Sequence, residues 1–257
     1  MAIMITGGTG FLGSYLTRHL VHEKGITGKD MILFDRYPNK DRIADVLDRV
    51  ILITGDITEP TELAAAMRTY EVDQVYHLAA ILGDPTSTQV VSYMKVMCDG
   101  TLNVFETARV MGVKRVVYAS SVAVYGRASF RGKKSGDELD EDDPPSPGTF
   151  YGMCKLYAEN LAALYSRRFG LETVGLRPTS VFGMGRGARG SSIRARRVRS
   201  VVMLKFTDTP ECSAMRCSRS TSRNTWSDFV VIEILSPLRA AICSSIARVA
   251  PNSRSAG

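Results

Sequence analysis

The chain is poor in the residues from which metal centres and disulfide frameworks are built. It has three histidines, and its five cysteines, Cys98, Cys154, Cys212, Cys217 and Cys243, are odd in number and never fall in a C-x-x-C spacing. That pattern argues against a zinc site and against a paired disulfide framework. We therefore expect no metal ligands and a reducing, cytoplasmic setting. Long apolar runs are missing too. The most apolar late stretch, 229–249, is broken by Glu233, Pro237, Arg239 and Arg248, so no segment reads as a membrane span. A basic leader with a long apolar stretch and a cleavage site is also lacking, so export is not expected.

What is present is divided unevenly. Residues 186–257 hold twelve arginines and one lysine against four acids, a balance of +9, so the chain's net charge of +7 leaves −2 for residues 1–185. The basic surplus belongs to the tail, and its arginines form no helical stripe, which counts against a nucleic-acid partner. The tail also carries thirteen serines, three glycines and no tyrosine or histidine, whereas all ten tyrosines lie at or before Tyr165. We read 186–257 as an atypical basic, Ser/Arg-rich tail. A shifted reading frame is favoured over simple disorder, because Trp226, Phe229 and Val230-Val231-Ile232 are residues that disordered segments usually lack.

Before the tail, short β-branched runs alternate with longer segments of helical period, the signature of βαβ units around a parallel sheet. Strands are expected at 2–6, 31–35, 50–54, 74–77, 114–119 and 172–177. Helices are expected at 11–24, 59–70, 90–111 and 150–169, with Gly25, Gly112 and Gly170 as C-terminal stops. The segment 127–149, with an acidic run and then Pro144, Pro145 and Pro147, reads as a surface loop. The expected fold class is α/β, a doubly wound parallel sheet of the Rossmann type over 1–185.

Thr6-Gly7-Gly8-Thr9-Gly10-Phe11-Leu12-Gly13 follows the first strand and opens the first helix. In that context glycines allow a tight turn and a close approach of backbone N–H groups to a pyrophosphate, and the helix N-terminus adds partial positive charge. Gly7, Thr9, Gly10, Phe11, Leu12 and Gly13 are the candidate phosphate-binding residues. Asp35 ends the second strand 22 residues after Gly13, where a carboxylate can accept hydrogen bonds from an adenosine ribose. Arg36 beside it could meet a 2′-phosphate, so NAD is favoured and NADP stays open.

In these residues the chain resembles the extended short-chain dehydrogenase/reductases, the NAD-dependent epimerase/dehydratase family of nucleotide-sugar enzymes. The likeness continues at Asp56-Ile57, which in that family flank the adenine, and at His77-Leu78-Ala79-Ala80, of which Leu78, Ala79 and Ala80 pass along the cofactor. It continues again at Ser120-Ser121-Val122-Ala123-Val124-Tyr125-Gly126 and at Tyr151-Gly152-Met153-Cys154-Lys155. The resemblance implies hydride exchange with a nicotinamide. It also implies a nucleotide sugar or related hydroxyl/keto compound as substrate, and a homodimer formed through helices 90–111 and 150–169.

The chemistry of the last two motifs can be argued from spacing as well. Tyr151 and Lys155 are four apart and share a helix face, and a nearby ammonium favours the phenolate, making the tyrosine a usable acid/base. Ser121, at the carboxyl end of a parallel strand, can donate a hydrogen bond to a reacting oxygen. Ser121, Tyr151 and Lys155 are thus the candidate catalytic set, with Lys155 and Tyr151 also against the nicotinamide ribose by the resemblance. Ser120 reads as structural, His77 as packed or locally bonded, and Cys154 as core-facing. Two departures stand out. Met97 occupies a position where the family usually has asparagine, and after Leu176-Arg177-Pro178 and the following 179–183 the likeness ends, with no recognisable substrate domain. The alternative reading is a catalytically impaired dinucleotide-binding remnant.

Overall fold

The computed structural model describes residues 1–132, 139, 143–178 and 181, and the backbone of strand Met203–Phe206. Six parallel strands, β1 (Ala2–Thr6), β2 (Gly28–Asp35), β3 (Val50–Thr54), β4 (Val72–His77), β5 (Arg115–Ala119) and β6 (Glu172–Arg177), lie in the order β3-β2-β1-β4-β5-β6. The doubly wound expectation is met. β1 is buried along its whole length, as a central parallel strand covered on both faces must be. Because side chains alternate across a strand, Ala2 and Met4 enter one core layer while Ile3 and Ile5 enter the other.

Helix α1 (Phe11–Lys24) supplies Leu16, Leu20 and Val21 to the layer with Ile3 and Ile5. The opposite layer is filled from α2 (Pro60–Thr69), α4 (Gly100–Val110) and α5 (Phe150–Phe169). α1 and α5 end at Gly25 and Gly170, with φ of 66° and 69°, the left-handed stops their sequences call for. α5 begins at a Thr149 cap, whose hydroxyl accepts from the Gly152 N–H at 3.0 Å.

Two expectations are corrected. The helix expected over 90–111 is three pieces: α3 (Val90–Met94), a π-helical turn Lys95–Asp99, and α4. A π turn appears as a single-turn bulge inside an α-helix, and a five-residue irregularity is too short for a helical-period reading of 90–111 to resolve. The tail, read as irregular throughout, contributes a seventh strand, β7 (Met203–Phe206), antiparallel to β6 with Arg177 opposite Met203 and Val174 opposite Phe206. Four residues are too few to show an alternation, and an edge strand is held through its backbone. The rest of 186–257, the motif continuation at 179–180 and 182–183, and most of the acidic run at 137–143 lie outside the described residues.

Candidate active site

The strand order reverses between β1 and β4, and open parallel sheets hold ligands in the crevice at such a switch point. A cleft of about 280 Å³ lies there. Among the expected residues, Gly7, Gly10, Asp35, Arg36, Asp56 and Ile57 line it, together with Leu78, Ala79 and Ala80. Phe34, Tyr37, Gly55, Ile81 and Val96 line it as well. Tyr37 and Ile81 adjoin expected residues and could have been found by extending those runs, whereas Val96, on the π turn, left no sequence signal.

The glycine loop is packed too tightly for side chains. A Cβ on Gly13 would stand 2.3 Å from the Gly7 carbonyl oxygen, so the first turn of α1 can close on the loop only with glycine there. The backbone N–H groups of Leu12 and Gly13, in that first turn, have no carbonyl within the helix to receive them. The Leu12 and Phe11 side chains pack against the core, and the Phe11 ring meets Tyr15 edge-on at 5.2 Å. Thr9 is buried and does not line the cleft; it works through Asp35. Its backbone N–H and its hydroxyl both donate to Asp35 Oδ2, at 3.1 and 2.6 Å, while the Tyr37 N–H donates to Oδ1 at 3.2 Å. Oδ2 is filled by its two donors, and Oδ1 keeps capacity for a further one. Arg36 reaches across to Asp56, Nη1 to Oδ2 2.8 Å, and its guanidinium lies over the Tyr37 ring at 5.2 Å.

Helix α5 builds the second half of the site by clasping the end of β5. Lys155 Nζ donates to the Ala119 carbonyl at 2.7 Å. One turn earlier, the hydrogen of Gly152 leaves room for the Ala123 carbonyl oxygen, which a Cβ would approach to 2.1 Å. One turn later, Glu159 Oε1 accepts from the Ser120 hydroxyl at 2.5 Å. Ser121 sits within the segment held at these points, in extended conformation, and its Oγ accepts from the Ala123 N–H at 3.1 Å. Tyr151 is fixed at the start of the helix, where its N–H donates to Asp84 Oδ1 at 2.9 Å. The Lys155 ammonium lies 5.5 Å from the centroid of the Tyr151 ring. Burial pushes the Lys155 pKa down to about 8, so the ammonium still predominates at neutral pH.

His77 forms part of a directional chain of hydrogen bonds. The Ala79 N–H meets Thr6 Oγ1 at 3.5 Å, and Thr6 Oγ1 lies 2.8 Å from His77 Nδ1; His77 Nε2 lies 3.2 Å from Thr101 Oγ1, which donates to the Met97 carbonyl at 2.7 Å. With Thr101 donating onward, the imidazole is assigned as the Nε2–H tautomer accepting from Thr6. Burial, reinforced by the Lys155 charge, drives its pKa down to about 3, so the ring stays neutral. Met97 takes up the position through sulfur, its Sδ accepting from the Ile81 N–H at 3.2 Å. The amide donor is lost, and the arrangement differs from what asparagine would give.

Behind the site, Arg177 and Glu159 form a buried pair that sequence reading missed, because nothing local marks a contact between a strand end and a preceding helix. Arg177 also donates to the Tyr125 hydroxyl and stacks on its ring at 5.0 Å. Cys154 is buried, with its Sγ 3.7 Å from the Cys98 Sγ and 3.6 Å from Met94 Sδ, and burial pushes its pKa up to about 12. Among the described residues no group of three or more His, Cys, Asp or Glu side chains could hold a metal ion, and no helix is long and apolar enough to cross a membrane.

The sequence profile of the NAD dependent epimerase/dehydratase family matches residues 3–231. The chain belongs to that family. The matched span passes Arg186, where the motif likeness ends, and takes in the segment that carries β7. Among epimerase/dehydratase relatives, the D-erythronate dehydrogenase of Cupriavidus necator is 34% identical over 191 residues, covering 69% of this chain and 56% of that enzyme. The L-threonine dehydrogenase structure from Clostridium difficile superimposes with a TM-score of 0.61 at 28% identity, covering 69% of this chain and 53% of that one. The UDP-glucose 4-epimerase of Thermus thermophilus, solved with NAD, gives 0.60 at 26% identity, covering 71% and 56%. The chain thus spans a little over half the length of the family members it matches.

Proposed function

We propose that this chain binds NAD and carries the acid/base half of a transient hydride transfer on a nucleotide sugar or a related hydroxyl or keto compound. The observation that carries the reading is the clasp of α5 on the end of β5, which holds Lys155, Tyr151 and the Ser121 segment to one another on the strand next to β4, whose end lines the cleft. The cleft fits the coenzyme: Gly13 and Gly7 form a cradle that a Cβ would fill. Asp35 is oriented by Thr9 with room for a ribose hydroxyl, and Ile57 with Leu78 to Ala80 offers an apolar slot for the adenine. When bound, NAD supplies the hydride acceptor.

Tyr151 takes the proton from the substrate hydroxyl as it becomes a carbonyl, or returns it in the reverse direction, and the Lys155 ammonium over its ring stabilises the phenolate. Ser121 donates its hydroxyl hydrogen to the same substrate oxygen. Lys155, held by Ala119, also faces the nicotinamide ribose. Asp35 favours NAD over NADP, since a 2′-phosphate would meet its carboxylate. Relatives named as sugar-nucleotide epimerases support the nucleotide-sugar class, while the erythronate and threonine dehydrogenases support smaller hydroxy compounds. The odd, unpaired cysteine spacing supports a cytoplasmic setting, and the exposed Leu102, Val110, Leu164 and Phe169 support a homodimer through α4 and α5.

Calorimetric titration of the whole chain with NAD tests the binding half. Micromolar, saturable binding weakened about tenfold or more by Asp35→Ala supports it, and absence of saturable binding refutes it. The short span relative to the family favours a second reading, a dinucleotide-binding chain without turnover. NAD binding with neither reduced nicotinamide nor a converted product formed from any hydroxyl substrate would select that reading.

A further inference from the structure

We propose that Asp56 enforces the preference for NAD by holding the Arg36 guanidinium away from the 2′-phosphate that marks NADP. This deepens the dinucleotide-binding reading above and rests on it. Arg36 is the cation at the end of β2, next in sequence to the ribose carboxylate Asp35, and it lines the same cleft. A guanidinium at that place, left to itself, suits a phosphate through its planar fork of donors. Here one arm of the fork is engaged and the plane is stacked: Nη1 lies 2.8 Å from Asp56 Oδ2, and the guanidinium carbon rests 5.2 Å from the centroid of the Tyr37 ring.

The two ends of this pair differ in freedom. Asp56 is 18% exposed and its other oxygen accepts the Thr58 N–H at 2.9 Å, whereas Arg36 is 53% exposed. Asp56 is therefore the fixed anchor and Arg36 the movable arm. A 2′-phosphate entering the cleft must compete with Asp56 for the arm while also meeting the Asp35 carboxylate. A coenzyme without that phosphate meets neither obstacle. Asp35 repels the extra phosphate, and Asp56 withholds the neighbouring cation placed to offset that repulsion.

The test is the ratio of NADP to NAD dissociation constants, measured by calorimetry on the full chain, which isolates the 2′-phosphate from everything the two coenzymes share. Asp56→Asn is expected to narrow the ratio by about fivefold through tighter NADP binding, the scale an exposed ion pair supports. Adding Arg36→Gln to that variant is expected to remove the gain. Arg36→Gln alone, in the otherwise unaltered chain, is expected to change both affinities by the same factor, and this variant decides the matter if Asp56→Asn folds poorly. An unchanged ratio in Asp56→Asn, or a selective loss of NADP binding in Arg36→Gln alone, overturns the proposal while leaving NAD binding intact. Failure of the unaltered chain to bind either coenzyme overturns the function reading and this inference together.

Discussion

Arg177 and Glu159 meet as a bidentate pair, Nε to Oε1 at 2.7 Å and Nη2 to Oε2 at 2.6 Å, with both side chains buried. The pair joins the end of β6 to the middle of α5, and through Ser120 and Tyr125 it also holds the segment that contains Ser121. A buried charge is tolerated when its partners are complete and becomes expensive when one is taken away.

Arg177→Met is accordingly expected to destabilise the chain by about 3–5 kcal/mol, because Glu159 is left as an uncompensated buried carboxylate. Replacing both, as Arg177→Met with Glu159→Leu, is expected to recover most of that loss. Urea unfolding curves check it: a double variant as unstable as the single one would show that packing, not the unpaired charge, is responsible.

Lys155 predicts a pH signature of known sign. Its pKa falls from 10.5 to about 8 on folding, so between those values the unfolded chain binds more protons and the folded state gains stability as pH rises. Below about pH 8 the buried ammonium costs about 3 kcal/mol. Lys155→Met removes the titration. The stability of the wild type relative to this variant should therefore climb by about that amount between pH 7 and 10.5, and parallel stability profiles would contradict it.

Gly152 is the point of contact between α5 and the segment after β5. Gly152→Ala places a Cβ 2.1 Å from the Ala123 oxygen, and the helix start must shift. The cost expected of such overpacking is about 1–3 kcal/mol, accompanied by weaker NAD binding as Tyr151 and the Ser121 segment separate. A thermal midpoint unchanged from the wild type would mean that the contact can relax freely.

Asp35→Ala removes the acceptor that Thr9 and Tyr37 hold in place. Loss of hydrogen bonds to a charged acceptor supports a weakening of NAD binding of about tenfold or more. Thr9→Val, which removes only the donor at 2.6 Å, is expected to give a smaller loss in the same titration.

Much of this was legible in the sequence where the physics is local. β1, β3 and β6 and helices α1 and α5 fall on the residues their periodicity and stops indicate, since Gly25 and Gly170 act through their own neighbours. The placement of Asp35 at the cleft and of Lys155 near the Tyr151 ring was legible from spacing on a strand and a helix. The remainder depends on contacts that spacing does not encode. Thr6 and His77 meet across strands 71 residues apart, and Ser120 meets Glu159 39 residues on. The π turn at Lys95–Asp99, which carries the Met97 whose Sδ meets the Ile81 N–H, is too short for helical period to mark. β7 is held by backbone pairing, which its four side chains do not announce.

The most direct test is to incubate the full chain with NAD and a panel of nucleotide sugars and small hydroxy acids, following both reduced nicotinamide by absorbance and substrate conversion by chromatography for the wild type and Tyr151→Phe. The wild type is expected to form reduced nicotinamide or a converted product with at least one of them, and Tyr151→Phe to lower that rate by about 10²–10⁴-fold. An equal rate in the two proteins would contradict it, since the proton would then pass through some group other than Tyr151.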